Sequence, residues 1–170
     1  MSEGTRLLYA PVCRAEPADL PDVAALHAAS LNSAWPEDEW HRLLTPPGGS
    51  GSDNFLLLVS RCANSDASRG CLAGFLLARR VIDEAEIVAV AVLPSCRRQG
   101  VGQRLLGHLI EQLRCDLPCR LFLEVSVENI SALTLYRNNG FAEVGLRKAY
   151  YAVPGRAPVD AKLLARDLAN

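Results

Sequence analysis

The chain has 170 residues, 49% of them hydrophobic and 22% charged, with 18 basic and 19 acidic side chains and a net charge of -1. This composition belongs to a globular chain long enough for a core of its own, and it lacks the basic excess of a protein that coats duplex nucleic acid. No apolar run reaches the length of a membrane span, and residues 1–10 carry no long apolar stretch of the secretory kind, so a cytoplasmic location is expected. Six cysteines, Cys13, Cys62, Cys71, Cys96, Cys115 and Cys119, form no C-x-x-C pair, and His27, His41 and His108 lie far apart in sequence. Reduced, mostly buried thiols and no metal site are expected.

The first predicted element is a helix over 19–30, with Asp19 as its cap, Pro21 in its first turn and Val23, Leu26 and Leu31 along one face. A second, short helix spans 36–44, where Trp35, Trp40, Leu43 and Leu44 supply apolar surface. The glycine- and proline-rich run 45–53 is a flexible connection. Strands follow at 54–61, 71–81 and 86–92, the first two separated by a polar loop over 63–70. A central helix over 100–114 repeats Val101, Leu105, Leu109, Ile110 and Leu113 on its inner face. A strand at 120–126 and a helix at 130–138 come next, the helix stopped by Asn139-Gly140. Strands at 141–145 and 159–167, joined by a loop bearing tyrosines and prolines, close the chain. With no repeats and no convincing linker, 1–170 reads as a single α/β domain, a mixed sheet with helices on both faces.

Three groups of residues could carry chemistry. In the first, an apolar strand holding Val90, Ala91 and Val92 ends at Pro94 and runs through Arg97-Arg98-Gln99-Gly100-Val101-Gly102-Gln103 into a helix. Glycines let backbone come within bonding reach of an anion, arginines add charge, and the helix start adds unpaired N–H groups and its dipole. A phosphate or diphosphate suits that place; the plain alternative is a turn with a solvated basic surface. The pattern is not a P-loop, and it lacks the third glycine of the dinucleotide fingerprint. The second group is Glu124 in Leu-Phe-Leu-Glu-Val, a partly desolvated strand carboxylate that can serve as a base, or else a strand glutamate paired with a nearby arginine. The third is Asn129, placed to cap a helix, and Tyr136 two turns on, whose ring suits the core and whose hydroxyl could donate a proton.

Taken together, these residues resemble the GNAT family of acetyl-CoA-dependent N-acetyltransferases. The resemblance rests on the strand and loop over 90–103, the strand with Glu124, and Asn129 and Tyr136 followed by Asn138-Asn139-Gly140-Phe141. Within the family the chain is similar to the RimI-type ribosomal-protein alanine acetyltransferases in Asp83-Glu84-Ala85, Arg98-Gln99-Gly100, Leu123-Glu124-Val125, Tyr150-Tyr151 and Asp160-Ala161, with Trp35 and Trp40 like that subgroup's aromatic pair. It departs in Pro36, where a Ser or Thr cap is usual, and in insertions at 46–53 and 62–70.

The resemblance implies a mixed, mostly antiparallel central sheet with a splayed strand pair for the cofactor. It implies that Val90, Ala91 and Val92 hold the pantetheine arm of acetyl-CoA and that Arg97, Arg98, Gln99, Gly100, Val101, Gly102 and Gln103 cradle its diphosphate. Asn129 then bonds the cofactor arm, Glu124 is the general base, and Tyr136 is the general acid beside the cofactor sulfur. Trp35, Tyr150 and Tyr151 line the acceptor's path, or the tyrosines merely cover a sheet edge. The implied acceptor is a protein N-terminus, such as that of a ribosomal protein, taken up by a monomer or weak homodimer with no nucleic acid or membrane involved. Glu37, Asp38, Glu39, Asp83, Glu84 and Glu86 suit a basic peptide. A small-amine acetyltransferase and a non-catalytic acyl-CoA-binding module are the competing readings.

Overall fold

In a computed structural model the described residues are 9–30, 35–44, 54–63, 70–114 and 119–168. The elements in chain order are β1 (Cys13–Arg14), a 3-10 turn (Pro17–Asp19), α1 (Leu20–Ser30), α2 (Glu37–Leu44), β2 (Phe55–Arg61), β3 (Leu72–Val81) and β4 (Glu84–Val92). A second 3-10 turn (Pro94–Cys96), α3 (Val101–Arg114), β5 (Cys119–Ser126), α4 (Ile130–Asn138), β6 (Ala142–Tyr151) and β7 (Val159–Leu168) follow. One seven-stranded sheet has the order β1-β2-β3-β4-β5-β7-β6. It is mixed: β4 runs parallel to β5, while β1–β2, β5–β7 and β6–β7 are antiparallel. The four β4–β5 pairs run from Glu84–Arg120 to Ile87–Leu123. The expected fold class is thus borne out.

Several expected boundaries move. Asp19 does not cap a long helix. It closes the 3-10 turn, where its carboxylate accepts the Glu16 N–H at 2.9 Å and pairs with Arg61, an ion pair whose side chains are almost wholly buried. The last strand pair also differs: β6 continues to Tyr151, so Tyr150 and Tyr151 stand on a strand and not in the loop expected after residue 145. Of the four cysteines whose side chains are described, Cys62 and Cys96 are buried and Cys13 and Cys71 exposed; all four are free. Leu31, the connection at 45–53, most of the loop at 63–70, Cys115 and the side chains of Leu44 and Cys119 lie outside the described residues.

The chain divides into two compact units, Met1–Leu77 with Ala89–Leu109, and Ala78–Val88 with Ile110–Asn170. In the first, α1 buries Leu20, Val23 and Leu26 and α2 buries Trp40 against Leu57 and Val59 of β2 and Phe75 and Leu77 of β3. Each fully buried side chain of this size contributes about 1.5–3 kcal/mol. Neighbouring residues on a strand point to opposite faces. Phe75 meets Trp40 edge-on, at a ring distance of 5.6 Å, while a Cβ on Gly74 would stand 3.1 Å from Val101 and 3.4 Å from Leu105 of α3. Helices therefore cover both faces of β3. Gly74 is needed there, since its Cβ would also fall 2.8 Å from the Ala91 carbonyl oxygen.

In the second unit β5 and β7 pair over eight positions, from Cys119–Leu168 to Ser126–Ala161. β6 pairs with the other side of β7, with register breaks between Glu143 and Gly145 and between Arg147 and Tyr151. Asn129 caps α4, its Oδ1 accepting the Ala132 N–H at 3.1 Å, and Gly140 turns out of the helix at φ +76°.

Candidate active site

In the first unit the end of β4 leads to the basic loop. Ala91 is buried, Val90 and Val92 half-buried, and the Leu93 N–H donates to Ala73 O at 2.9 Å, which fixes where the strand ends. The turn over 94–96 is followed by Arg98 at φ +59° and Gly100 at φ +81°. Two left-handed residues so close together turn the loop tightly, the kind of backbone from which anion-binding nests are built. α3 begins at Val101, and its hydrogen-bond ladder opens with the Arg104 N–H on Gly100 O at 3.0 Å. The N–H groups of Val101 and Gly102 thus have no carbonyl of their own helix to meet. Nothing lies within 4 Å of where a Cβ of Gly100 would stand, so a bulky anion can reach this backbone.

Two side chains of the loop and one of α3 act as braces. Arg97 Nε donates to Val92 O at 3.1 Å, Gln99 Nε2 donates to Ser95 O at 2.9 Å, and Arg104 donates to the Ser60 hydroxyl at 2.8 Å. Tyr9 completes the frame: its hydroxyl donates to Gln99 Oε1 at 2.7 Å and its ring lies 4.4 Å under the Arg104 guanidinium. Sequence reasoning missed Tyr9, and no local signal could reveal a brace 90 residues away from its partner. The exposed Arg98, the glycine and the helix-opening amides are what the loop presents to a ligand. This set fits the diphosphate of acetyl-CoA.

Trp35 packs in the same unit, 5.2 Å from the rings of both His27 and Trp40. It is half-buried as part of this aromatic cluster.

The second unit holds the candidate acid–base residues. Glu124, on β5, has a side chain only 19% exposed, and its Oε1 sits 3.0 Å from an Arg147 guanidinium nitrogen. The carboxylate borders a cavity of about 280 Å³ whose lining includes Glu84, Glu86, Arg79, Phe122 and Leu163. Arg79 is paired with Glu86 at 2.9 Å. Tyr150 and Tyr151 stand edge-on at 5.1 Å. The Glu124 carboxylate beside the Tyr150 hydroxyl, together with burial, pushes the Tyr150 pKa up. Tyr151 donates to the Glu124 backbone carbonyl at 3.4 Å, and burial raises its pKa as well. Tyr136 is buried on α4, edge-on to Phe141 at 5.5 Å, and burial, then Tyr151, holds its hydroxyl protonated far above neutral pH. Beside this group the fork of Arg156 grips both oxygens of Glu128, at 2.7 and 2.5 Å, and holds that carboxyl below its ordinary range.

Glu124, Tyr150 and Tyr151 are therefore brought together, with Tyr136 next to Tyr151 in the electrostatic field. Arg147 and Arg79 were not anticipated. Arg147 is the nearby arginine that a reading of Glu124 as a paired strand residue requires.

The chain is similar to known proteins in sequence and in fold. Residues 20–141 match the acetyltransferase (GNAT) family. The chain is 35% identical over 136 residues to the [ribosomal protein bS18]-alanine N-acetyltransferase of Escherichia coli K12, covering 80% of this chain and 83% of that protein. It is 38% identical over 104 residues to the N-alpha-acetyltransferase RimI of Mycobacterium tuberculosis, covering 59% of this chain and 62% of that protein. The crystal structure of the E. coli ribosomal-protein-S18-alanine N-acetyltransferase superposes with a TM-score of 0.79 at 27% identity, covering 96% of both chains. With more than two-thirds of its length inside one family match, this chain belongs to the GNAT family of acetyltransferases.

Proposed function

We propose that this protein transfers acetyl from acetyl-CoA to the α-amino group of a protein N-terminus, such as that of a ribosomal protein. The observation that carries the reading is Glu124, a poorly solvated carboxylate at the edge of a cavity it shares with Glu84 and Glu86. Three carboxylates against one lining arginine favour a cationic guest, and an N-terminal ammonium is one. The names of the two relatives, which describe transfer to a ribosomal-protein alanine and to an N-alpha position, support the same acceptor.

The acetyl-CoA thioester supplies an activated acyl carbon and a thiolate leaving group. The remaining work belongs to the protein. An α-ammonium titrates near about pH 8, so a modest base suffices at neutral pH. Glu124 takes that proton, directly or through a water, and frees the lone pair. A backbone N–H of Val90, Ala91 or Val92 donates to the acyl oxygen as negative charge develops there. Tyr136, whose hydroxyl keeps its proton at working pH, hands it to the departing sulfur. Arg98 with the amides of Gly100, Val101, Gly102 and Gln103 seats the diphosphate, while Arg97 and Gln99 hold the loop in shape. Asn129 uses Oδ1 as a cap, which leaves its Nδ2 donors for the cofactor arm.

A Glu124→Gln enzyme tests this. Turnover of a peptide beginning Ala-Arg is expected to fall by about 10²–10⁴ at neutral pH, the usual contribution of a positioned base, while coenzyme A binding by calorimetry stays intact. Full turnover by that variant refutes the base, and turnover on small amines alone refutes the peptide acceptor.

A further inference from the structure

Arg147 holds the carboxylate of the proposed base, at 3.0 Å. We propose that it is a displaceable counter-ion, a positioning residue that neutralises Glu124 until the acceptor's ammonium takes its place. The proposal rests on the reading of Glu124 as the base.

The strand order makes the contact possible. Glu124 faces Leu163 of β7, and Leu163 faces Gly145 of β6, so these three share one side of the sheet. Arg147 is two residues beyond Gly145 and therefore on the same side. Its own partner on β7 is the small, buried Ala161. Nothing bulky stands between its long side chain and the carboxylate, and it reaches diagonally across β7 to meet Glu124 at 3.0 Å.

Everything about Arg147 says that the bond can be released. Its side chain is 54% exposed, against 19% for Glu124, so the arginine returns to water at small cost while the carboxylate cannot. It lies on the edge strand, where the pairing with β7 breaks between Arg147 and Tyr151 and Ala149 takes a left-handed φ of +52°. Its guanidinium also lies 5.3 Å over the Tyr150 ring while it holds Glu124, a contact that does not depend on the carboxylate. The other charged groups of the cavity do not offer Glu124 a substitute. Arg79 is engaged with Glu86, and Glu84 repels. An arriving ammonium therefore completes the neutralisation that Arg147 gives up, and a neutral molecule of the same shape does not.

A contest for one carboxylate has an unusual signature: removing the competitor tightens acceptor binding. Calorimetric titration of a peptide beginning Ala-Arg into the coenzyme A complex of Arg147→Gln is expected to give a Kd three- to tenfold lower than wild type, and an acceptor KM that falls with it. Arg147→Lys, which keeps the charge, is expected to bind near the wild-type level. An N-terminally acetylated peptide, which lacks the ammonium, is expected to gain nothing from Arg147→Gln. A residue that only shapes the site or contacts the peptide predicts the reverse, a weaker complex. If the Kd rises or stays unchanged in Arg147→Gln while Glu124→Gln is inactive, the counter-ion role is refuted and the base survives. If Glu124→Gln retains full turnover, the base falls and this role with it.

Discussion

His27 is caged by Trp35, Trp40 and Phe75, and its Nδ1 accepts the Trp35 backbone N–H at 3.5 Å. An accepting nitrogen in an apolar cage requires the neutral ring, and burial lowers the pKa below the usual 6.5, although Glu39 pulls the other way. The unfolded chain therefore binds the extra proton first. The His27 contribution to stability is complete above pH 6.5 and is lost as pH falls from there toward the folded-state pKa. Urea midpoints are expected to drop between about pH 7.5 and pH 5.5 in the wild type and to drop less in His27→Gln; equal losses in both would show that His27 is not the sensor. At this scale the sequence was informative about Glu124, because strand alternation and apolar neighbours are local. It was silent about Arg147, because that contact depends on β7 lying between β5 and β6. Asn129 shows both sides of the problem: its position predicts the cap that is found, and its proposed second task cannot be read from one chain's pattern.

The loop between β4 and α3 is the element proposed to seat the donor. Gly100 holds φ +81° in open space, a backbone state that a β-branched residue adopts only with about 1–3 kcal/mol of strain. Because the loop is exposed, it can relax to a negative φ without disturbing the core, and relaxation turns its amides away from the diphosphate. Gly100→Val is expected to raise the coenzyme A Kd by about tenfold or more, equal to about 1.4 kcal/mol. Its unfolding free energy should fall by less than about 1 kcal/mol. Equal losses in both measurements would mean that Gly100 serves only the turn. The helix α3 was legible because its apolar residues recur on one face and a glycine-bearing loop precedes it. Strand β6 was cut short in the sequence reading for a physical reason. It is an edge strand whose residues are nearly all exposed, so no burial alternation marks its course past Gly145. The loop at 94–100 was read from the sequence as a candidate anion seat, while the division of labour inside it, with Arg97 and Gln99 bracing and Arg98 exposed, required coordinates.

For the molecule as a whole, donor binding and folding are linked. A ligand that binds only the folded state stabilises it by about 2.7 kcal/mol at a concentration of 100 times its Kd. For a chain of this size that is a rise in melting temperature of roughly 5–10 °C. Thermal scans with added coenzyme A are expected to show it, and Gly100→Val should need proportionally more ligand; no shift at saturating coenzyme A would count against donor binding by this fold. Among the described residues no helix is long and apolar enough to cross a membrane. The sequence by itself determined the class of fold, the glycine-bearing loop that opens α3, the strand carboxylate and the capped α4, because each is written in periodicity, turn chemistry or capping within about a dozen neighbouring residues. Only the tertiary structure decided that β7 is inserted beside β5, that Arg147 reaches Glu124 across it, that Tyr9 braces the loop and that Asp19 is matched to Arg61. Those are pairings between residues far apart in the chain, and their partners are chosen by strand order and packing, which no local pattern encodes.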